Sequence, residues 1–147
     1  MSAAFILLAP LRGGEADAAR DAIAALGKPF EHVPGTHLAR MQVLEDRQLL
    51  VAADHDGDLE TWLLTAAPVL EPVLAHCAFW PGPDNAAEVL DWARDRSLPA
   101  GFSVVGSPHA TVDEVRDALA LRERLARFAA QTEGLDERAL FAAWRAR

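Results

Sequence analysis

The chain has 147 residues, of which 51% are hydrophobic and 24% charged, and its formal net charge is -8. This size suits one domain, and the composition supplies a hydrophobic core, which argues against intrinsic disorder. An acidic surface without a Lys/Arg run repels phosphate, so we expect no nucleic-acid or anionic-membrane partner. The lone cysteine, Cys77, cannot form an internal disulfide. The chain also shows no signal-peptide pattern and no apolar run of membrane-spanning length, so we expect a cytoplasmic protein.

The first half of the chain predicts a strand, a helix and a hairpin. The apolar run 3–9, stopped by Pro10, indicates a buried strand, and apolar residues at helical spacing indicate a helix over 15–26 that ends at Gly27. Residues 36–44 and 49–54 are extended runs joined by the polar link 45–48, as in an antiparallel hairpin. A symmetric turn would place Leu44 opposite Leu49, Arg40 opposite Ala53, and His37 opposite Asp56.

The second half is mainly helical. Asp58 is a predicted N-cap for a helix that Pro68 should end, and a second short helix would start at Pro68 or Pro72 and run to His76. Further helices are expected over 84–96, 111–130 and, capped by Asp136, at the C-terminus, with a strand over 101–106.

The element order predicts an α+β fold. Without an inserted helical segment at about 69–98 and a C-terminal helical extension at about 111–147, the order is βαββαβ. We therefore expect a single ferredoxin-like domain over 1–147, with an antiparallel sheet whose helices cover one face.

The second face of this sheet needs a partner. One face of the predicted hairpin is uniformly apolar and suits packing under the helices; it carries Ala39, Met41, Val43, Leu50 and Ala52. The other face mixes apolar side chains with polar ones; it carries Leu38, Leu44, Leu49, Val51 and Ala53 beside Arg40, Gln42 and His55. Such a face favours a sheet-to-sheet homodimer that encloses a cavity. The alternative is that the C-terminal helices fold back over it.

Three short motifs support this expectation: Thr36-His37-Leu38-Ala39-Arg40, Asp54-His55-Asp56-Gly57-Asp58, and His76-Cys77 followed by Pro81-Gly82. With the element order, they resemble an uncharacterised bacterial group of the dimeric α+β barrel superfamily, over about residues 3–120. Leu38 stands where that group has an aromatic residue. The resemblance implies a homodimer with a pocket between sheet and helices or within the barrel. Members include monooxygenases, haem-using enzymes, isomerases and ligand binders, so fold alone does not decide whether this chain is an enzyme.

Acid–base chemistry is one candidate activity. His37 at the start of one strand should lie beside Asp54 and Asp56 at the end of the next, and a carboxylate that orients an imidazole makes it a general base. His55 is a second candidate for moving the proton. The alternative for these side chains is hydrogen bonding that satisfies the strand ends. We predict no metal site, because the loop 54–58 lacks calcium-loop spacing.

Ligand binding is the other candidate activity. Arg40 and Gln42 would hold the polar group of a small apolar or oxyanion-bearing ligand, or else pair across the dimer interface. Trp80 could wall a pocket, and His76 is a candidate haem ligand by analogy with haem-using members, although simple packing also explains it. The predicted function is therefore small-molecule binding or transformation of unknown specificity, oxidative or haem-related among the options. The alternative is a noncatalytic accessory protein in which the same residues specify the homodimer.

Overall fold

The computed structural model describes residues 2–99 and 110–145, and the chain divides into two compact units, Met1–Val112 and Asp113–Arg147. The elements in chain order are β1 (Ser2–Pro10), α1 (Ala16–Leu26), a 3-10 turn (Pro29–His32), β2 (Thr36–Leu44), β3 (Gln48–Asp56), α2 (Leu59–Leu74), α3 (Ala86–Arg96), β4 (Ser97–Leu98), α4 (Val112–Gln131) and α5 (Glu137–Arg145). The predicted first strand, first helix and final two helices are confirmed within a few residues. The division into domain, insert and extension stays a prediction.

The sheet confirms the predicted α+β, ferredoxin-like class. Its strand order is β2-β3-β1-β4, and every neighbouring pair is antiparallel. The edge strand β4 pairs Leu98 with Ile6 and Ser97 with Leu7. The strand predicted over 101–106 lies outside the described residues. Within those residues, no helix is both long enough and apolar enough to span a bilayer.

The hairpin turn differs from the symmetric one that we expected. Leu44 pairs with Gln48 and Arg40 with Ala52, one residue away from the predicted partners. The cause is a tight turn in which the Arg47 N–H donates to the Leu44 carbonyl, while Glu45 and Asp46 both take the left-handed backbone conformation. Such turns usually carry Asn-Gly, and Glu-Asp gives no such signal.

This one-residue shift reverses the predicted faces of β3, because side chains alternate along a strand. The face under the helices is built from Leu49, Val51 and Ala53 together with Phe5, Leu7 and Ala9 of β1. The assignment of Leu50 and Ala52 to this face was therefore wrong. They lie on the opposite face of the sheet, in register with Gln42 and Arg40. We call it the helix-free face because α1, α2 and α3 pack against the other one. The prediction for β2 was correct, since Ala39, Met41 and Val43 pack against the core.

Helix α2 continues through both prolines, so the prediction that Pro68 ends it was wrong. The two missing N–H groups would have bonded to the Leu64 and Pro68 carbonyls. Pro68 and Pro72 are four residues apart, so both lie on one side of the helix, and both are exposed to water that can satisfy those carbonyls. The opposite side buries a long apolar stripe, namely Ala66, Ala67, Leu70, Val73 and Leu74. Burial of this stripe offsets the cost of the prolines.

Candidate functional site

A β-bulge positions the first candidate side chain, His37. Thr36 pairs with His55 and Leu38 pairs with Asp54, so His37 is the extra residue between two ladder positions. In a regular strand His37 would share the core face with Ala39. The bulge gives that inward position to Thr36, which is buried, and turns the imidazole away.

The displaced imidazole meets the carboxylate at the end of β3. His37 Nε2 lies 2.9 Å from Asp56 Oδ1, and the two side chains are only 18% and 19% exposed. The predicted proximity of His37 and Asp56 is thus present, although the register that suggested it was wrong. Asp54, the other predicted partner of His37, lies two residues before Asp56 on β3. It pairs with Leu38 and faces the helix-free side of the sheet.

Backbone groups hold Asp56 in place. Its second oxygen, Oδ2, accepts a 2.9 Å hydrogen bond from the Val112 N–H, and its own N–H donates to the Gly35 carbonyl. Burial alone would raise the pKa of Asp56. The hydrogen bonds from Val112 and His37, with the charge of the imidazolium, outweigh burial and hold this pKa below its ordinary value of 3.8. Asp56 is therefore an anion near neutral pH.

An ionised Asp56 determines which tautomer the neutral imidazole adopts. Because a carboxylate only accepts hydrogen bonds, His37 donates its Nε2–H to it, and Nδ1 is left as the basic nitrogen. A histidine oriented in this way can accept a proton at Nδ1 while Asp56 stabilises the resulting cation.

His55 does not belong to this site. We expected it beside Arg40 and Gln42, but the register shift places it in the core, where it is 0% exposed and stacks on Trp62 with ring centroids 5.1 Å apart. Its Nδ1–H donates to the Asp56 carbonyl at 3.2 Å, and Nε2 has no partner among the described residues. The ring is fully buried under Trp62, so the geometry gives no support to the predicted catalytic role of His55.

Arg40 and Gln42 lie on the helix-free face, as predicted. Both are exposed. The half-buried Leu50 and Ala52 lie beside them on β3, and the half-buried Ile6 and Leu8 lie one strand further away, on β1. A cationic group on an apolar floor suits an anionic or strongly polar ligand group. Alternation along β3 places Asp56 on this same side of the sheet.

His76 forms a second imidazole–carboxylate pair at the opposite end of β1. His76 Nδ1–H donates to Glu15 Oε2 at 2.6 Å, and Arg12 bonds to the Ala75 carbonyl beside it. The hydrogen bond from His76 lowers the pKa of Glu15 despite partial burial, with a smaller effect from the Arg12 charge. Sequence reasoning missed Glu15, because the partners are 61 residues apart and no local pattern links them.

Trp80 lines an internal cavity, and the dimensions of that cavity bear on haem. The cavity lies between the sheet and helices α2 and α3, holds about 30 Å³, and has only apolar and aromatic lining residues. Trp80 is held there by hydrogen bonding to Glu71 Oε2 and by an edge-to-face contact with Trp92. His76 is not among the lining residues, and the space is close to that of one water. A haem ring does not fit this cavity.

The described residues hold no cluster of three or more His, Cys, Asp or Glu side chains that could bind a metal ion.

Comparisons with known proteins give one structural likeness. No protein-family model matches the chain, and the search of curated proteins found no match to its sequence. The structure is similar to that of tetracenomycin F2 cyclase from Streptomyces glaucescens, a type-II polyketide cyclase. The two chains share 15% identity over 71% of this chain and 98% of the other, with a TM-score of 0.45. The sheet order is that of the ferredoxin-like protomer expected from the sequence, while the bacterial group and the homodimer stay predictions.

Proposed function

We propose that this protein binds a small molecule on the helix-free face of its sheet and transfers a proton to or from it through His37. The observation that carries the proposal is the 2.9 Å contact between His37 Nε2 and Asp56 Oδ1, formed by a bulge that turns the imidazole out of the core. A histidine that only filled space would not need this displacement, whereas a general base needs a fixed ring and a free nitrogen.

The ligand class follows from the neighbouring side chains. Arg40 is three residues beyond His37 on β2, a distance of about 10 Å at roughly 3.3 Å per residue. The apolar floor formed by Ile6, Leu8, Leu50 and Ala52 lies alongside. These features suit a molecule with an apolar body and an oxyanion or other strongly polar group. Arg40 and Gln42 would bind that group, and His37 would act on an acidic position elsewhere on the molecule.

The homodimer predicted from the sequence would complete this site. Leu38 and Leu98 on the same face are 50% and 47% exposed, and a second copy pairing over them would exclude water from the ligand.

Native mass spectrometry of the purified protein tests binding, since it reports a retained small molecule and the subunit number together. We expect a retained ligand that Arg40→Ala loses. Arg47→Ala is the matched control, because Arg47 is an exposed arginine in the β2–β3 turn.

Deuterium exchange into the ligand identified in this way tests proton transfer. We expect His37→Gln to slow exchange from D₂O by about 100-fold or more, the usual contribution of a general base. His76→Gln removes the other imidazole–carboxylate pair and should leave exchange unchanged. Retention of ligand with no His37-dependent exchange would reject catalysis and favour the noncatalytic accessory function.

A further inference from the structure

The C-terminal unit, Asp113–Arg147, has almost no core of its own. Helix α5 has no buried residue, and the two helices meet through an edge-to-face contact between Phe128 and Trp144, whose ring centroids are 5.3 Å apart. Of the ten large exposed hydrophobic residues in the described chain, seven belong to this unit: Leu119, Leu121, Leu125, Leu135, Leu140, Phe141 and Trp144. Apolar exposure on this scale marks an interaction surface.

These side chains form two grooves that share a wall. One groove of about 700 Å³ lies along α5 and is lined by Phe128, Leu140, Phe141 and Trp144 among others. The other, of about 440 Å³, is lined by Leu121, Leu125, Phe128 and Trp144 with Arg124. Because Phe128 and Trp144 line both grooves, the surface is continuous along the helical hairpin.

The spacing on α4 identifies the shape of the occupant. Ala118, Leu121, Leu125, Phe128 and Thr132 follow one another at alternating steps of three and four residues. This is the repeat by which one helix packs against another, with side chains of each filling spaces between side chains of the other. Within the hairpin, Phe128 of this stripe already contacts Trp144 of α5. Leu121 and Leu125 stay exposed, and their spacing suits a further helix.

Charge identifies the occupant more closely. Residues 113–147 contain seven Lys/Arg and seven Asp/Glu, whereas residues 1–112 contain seven Lys/Arg and fifteen Asp/Glu. The whole net charge of -8 thus lies outside the hairpin. A neutral surface with both signs interspersed does not repel its own copy, and it attracts neither a basic nor an acidic partner by net field.

We propose that the α4–α5 hairpin pairs with the same hairpin of a second copy of this chain, forming a two-fold symmetric four-helix contact. A two-fold contact uses the same surface on both subunits. This fits the hairpin, because it carries both the apolar repeat of α4 and the two grooves. This contact is independent of the sheet face and of the proposed function.

The test compares subunit numbers by sedimentation equilibrium and native mass spectrometry of the full chain, from 1 to 100 µM. The variant Leu121→Glu/Leu125→Glu alters two side chains that are 48% and 44% exposed, and we expect half the subunits per particle found in wild type. Leu121→Ala/Leu125→Ala preserves helix propensity and should weaken the association at least tenfold without loss of helical circular dichroism. The wild-type contact should persist in 1 M NaCl, because it is apolar and neutral.

Phe79→Glu is the matched control, since Phe79 is 84% exposed but lies in the loop after α2, outside both the hairpin and the sheet. It should leave the wild-type subunit number unchanged. A wild-type protein that stays a single subunit at 100 µM would overturn the proposal. So would a Glu double variant with the wild-type subunit number.

Discussion

Asp56 is the single side chain on which the candidate site most depends, and its ionisation links the site to stability. Its folded-state pKa lies below the ordinary 3.8, so its contribution to stability is present above about pH 4 and is lost as pH falls through the lowered folded-state value. We expect Asp56→Asn to lower the free energy of unfolding at pH 7 and to flatten its decline in acid. Urea denaturation between pH 2.5 and 7 measures both effects.

Gln48→Ala on the same strand is the control for this measurement, because it removes an exposed side chain that carries no charge. Its stability should change with pH as that of wild type does. An Asp56→Asn curve parallel to wild type across the acid range would show that the hydrogen bonds from His37 and Val112 do not favour the ionised carboxylate.

Cys77 gives a second prediction about a single residue. Burial raises the pKa of its thiol to about 11, and the side chain is nearly inaccessible. Because only the thiolate reacts, we expect iodoacetamide at pH 8 to leave the folded protein unmodified over an hour and to alkylate it fully in 6 M guanidinium. The mass of the intact protein measures this, and rapid alkylation of the folded chain would contradict the burial of Cys77.

Among the elements, helix α2 makes the clearest prediction. Pro68→Ala restores a hydrogen bond to the Leu64 carbonyl at an exposed position inside the helix. We expect the free energy of unfolding to rise by about 1–3 kcal/mol, since proline is disfavoured by roughly 3 kcal/mol in a helix interior. The gain is below the full value because alanine makes the unfolded chain more flexible, which stabilises the unfolded state. Pro34→Ala, in an exposed loop, is the control and should not stabilise. An unchanged or lower value for Pro68→Ala would mean that α2 already accommodates the proline without cost.

At the level of elements, sequence reasoning succeeded where the pattern was long and failed where one residue mattered. The helix over 16–26 was predicted because its apolar periodicity extends over two or more turns. The hairpin was predicted because its apolar pattern extends along whole strands. The register was not, because Glu45 and Asp46 adopt a left-handed turn that their residue types do not signal. One misplaced residue in that turn moved His55 from the core to the ligand face in the prediction.

Part of the candidate site could also be predicted from the sequence. The proximity of the two strand ends was enough to place His37 near Asp56, although the predicted register was wrong. They could not reveal the bulge that turns the ring, nor the hydrogen bond from Val112, which lies 56 residues from Asp56 along the chain. The continuation of α2 beyond Pro68 was missed because tertiary burial outweighs a local propensity, and burial is not visible in the local sequence.

For the Met1–Val112 unit as a whole, stability depends on the apolar layer between the sheet and helices α2 and α3. Leu70 is 4% exposed and lines the small internal cavity beside Trp62 and Trp92. We expect Leu70→Ala to lower the free energy of unfolding by about 2–5 kcal/mol, because it removes buried methyl groups and enlarges a space that the surrounding rings cannot close. Thermal and urea denaturation measure the loss.

Leu98→Ala, on the half-exposed edge strand, is the matched control and should cost below about 1 kcal/mol. Equal losses for Leu70→Ala and Leu98→Ala would show that the layer around the cavity is not the main core of this unit.

The extra residue in β2 has a consequence for how the chain could be altered. Deleting Leu38 would leave an uninterrupted ladder in which Thr36 still faces His55 and His37 moves opposite Asp54. The imidazole of His37 would then have Asp54 instead of Asp56 as its carboxylate partner, although none of these three residues is substituted. Loss of a single codon, without any substitution, would thus be enough to move the imidazole of His37 from Asp56, which Val112 holds in place, to Asp54.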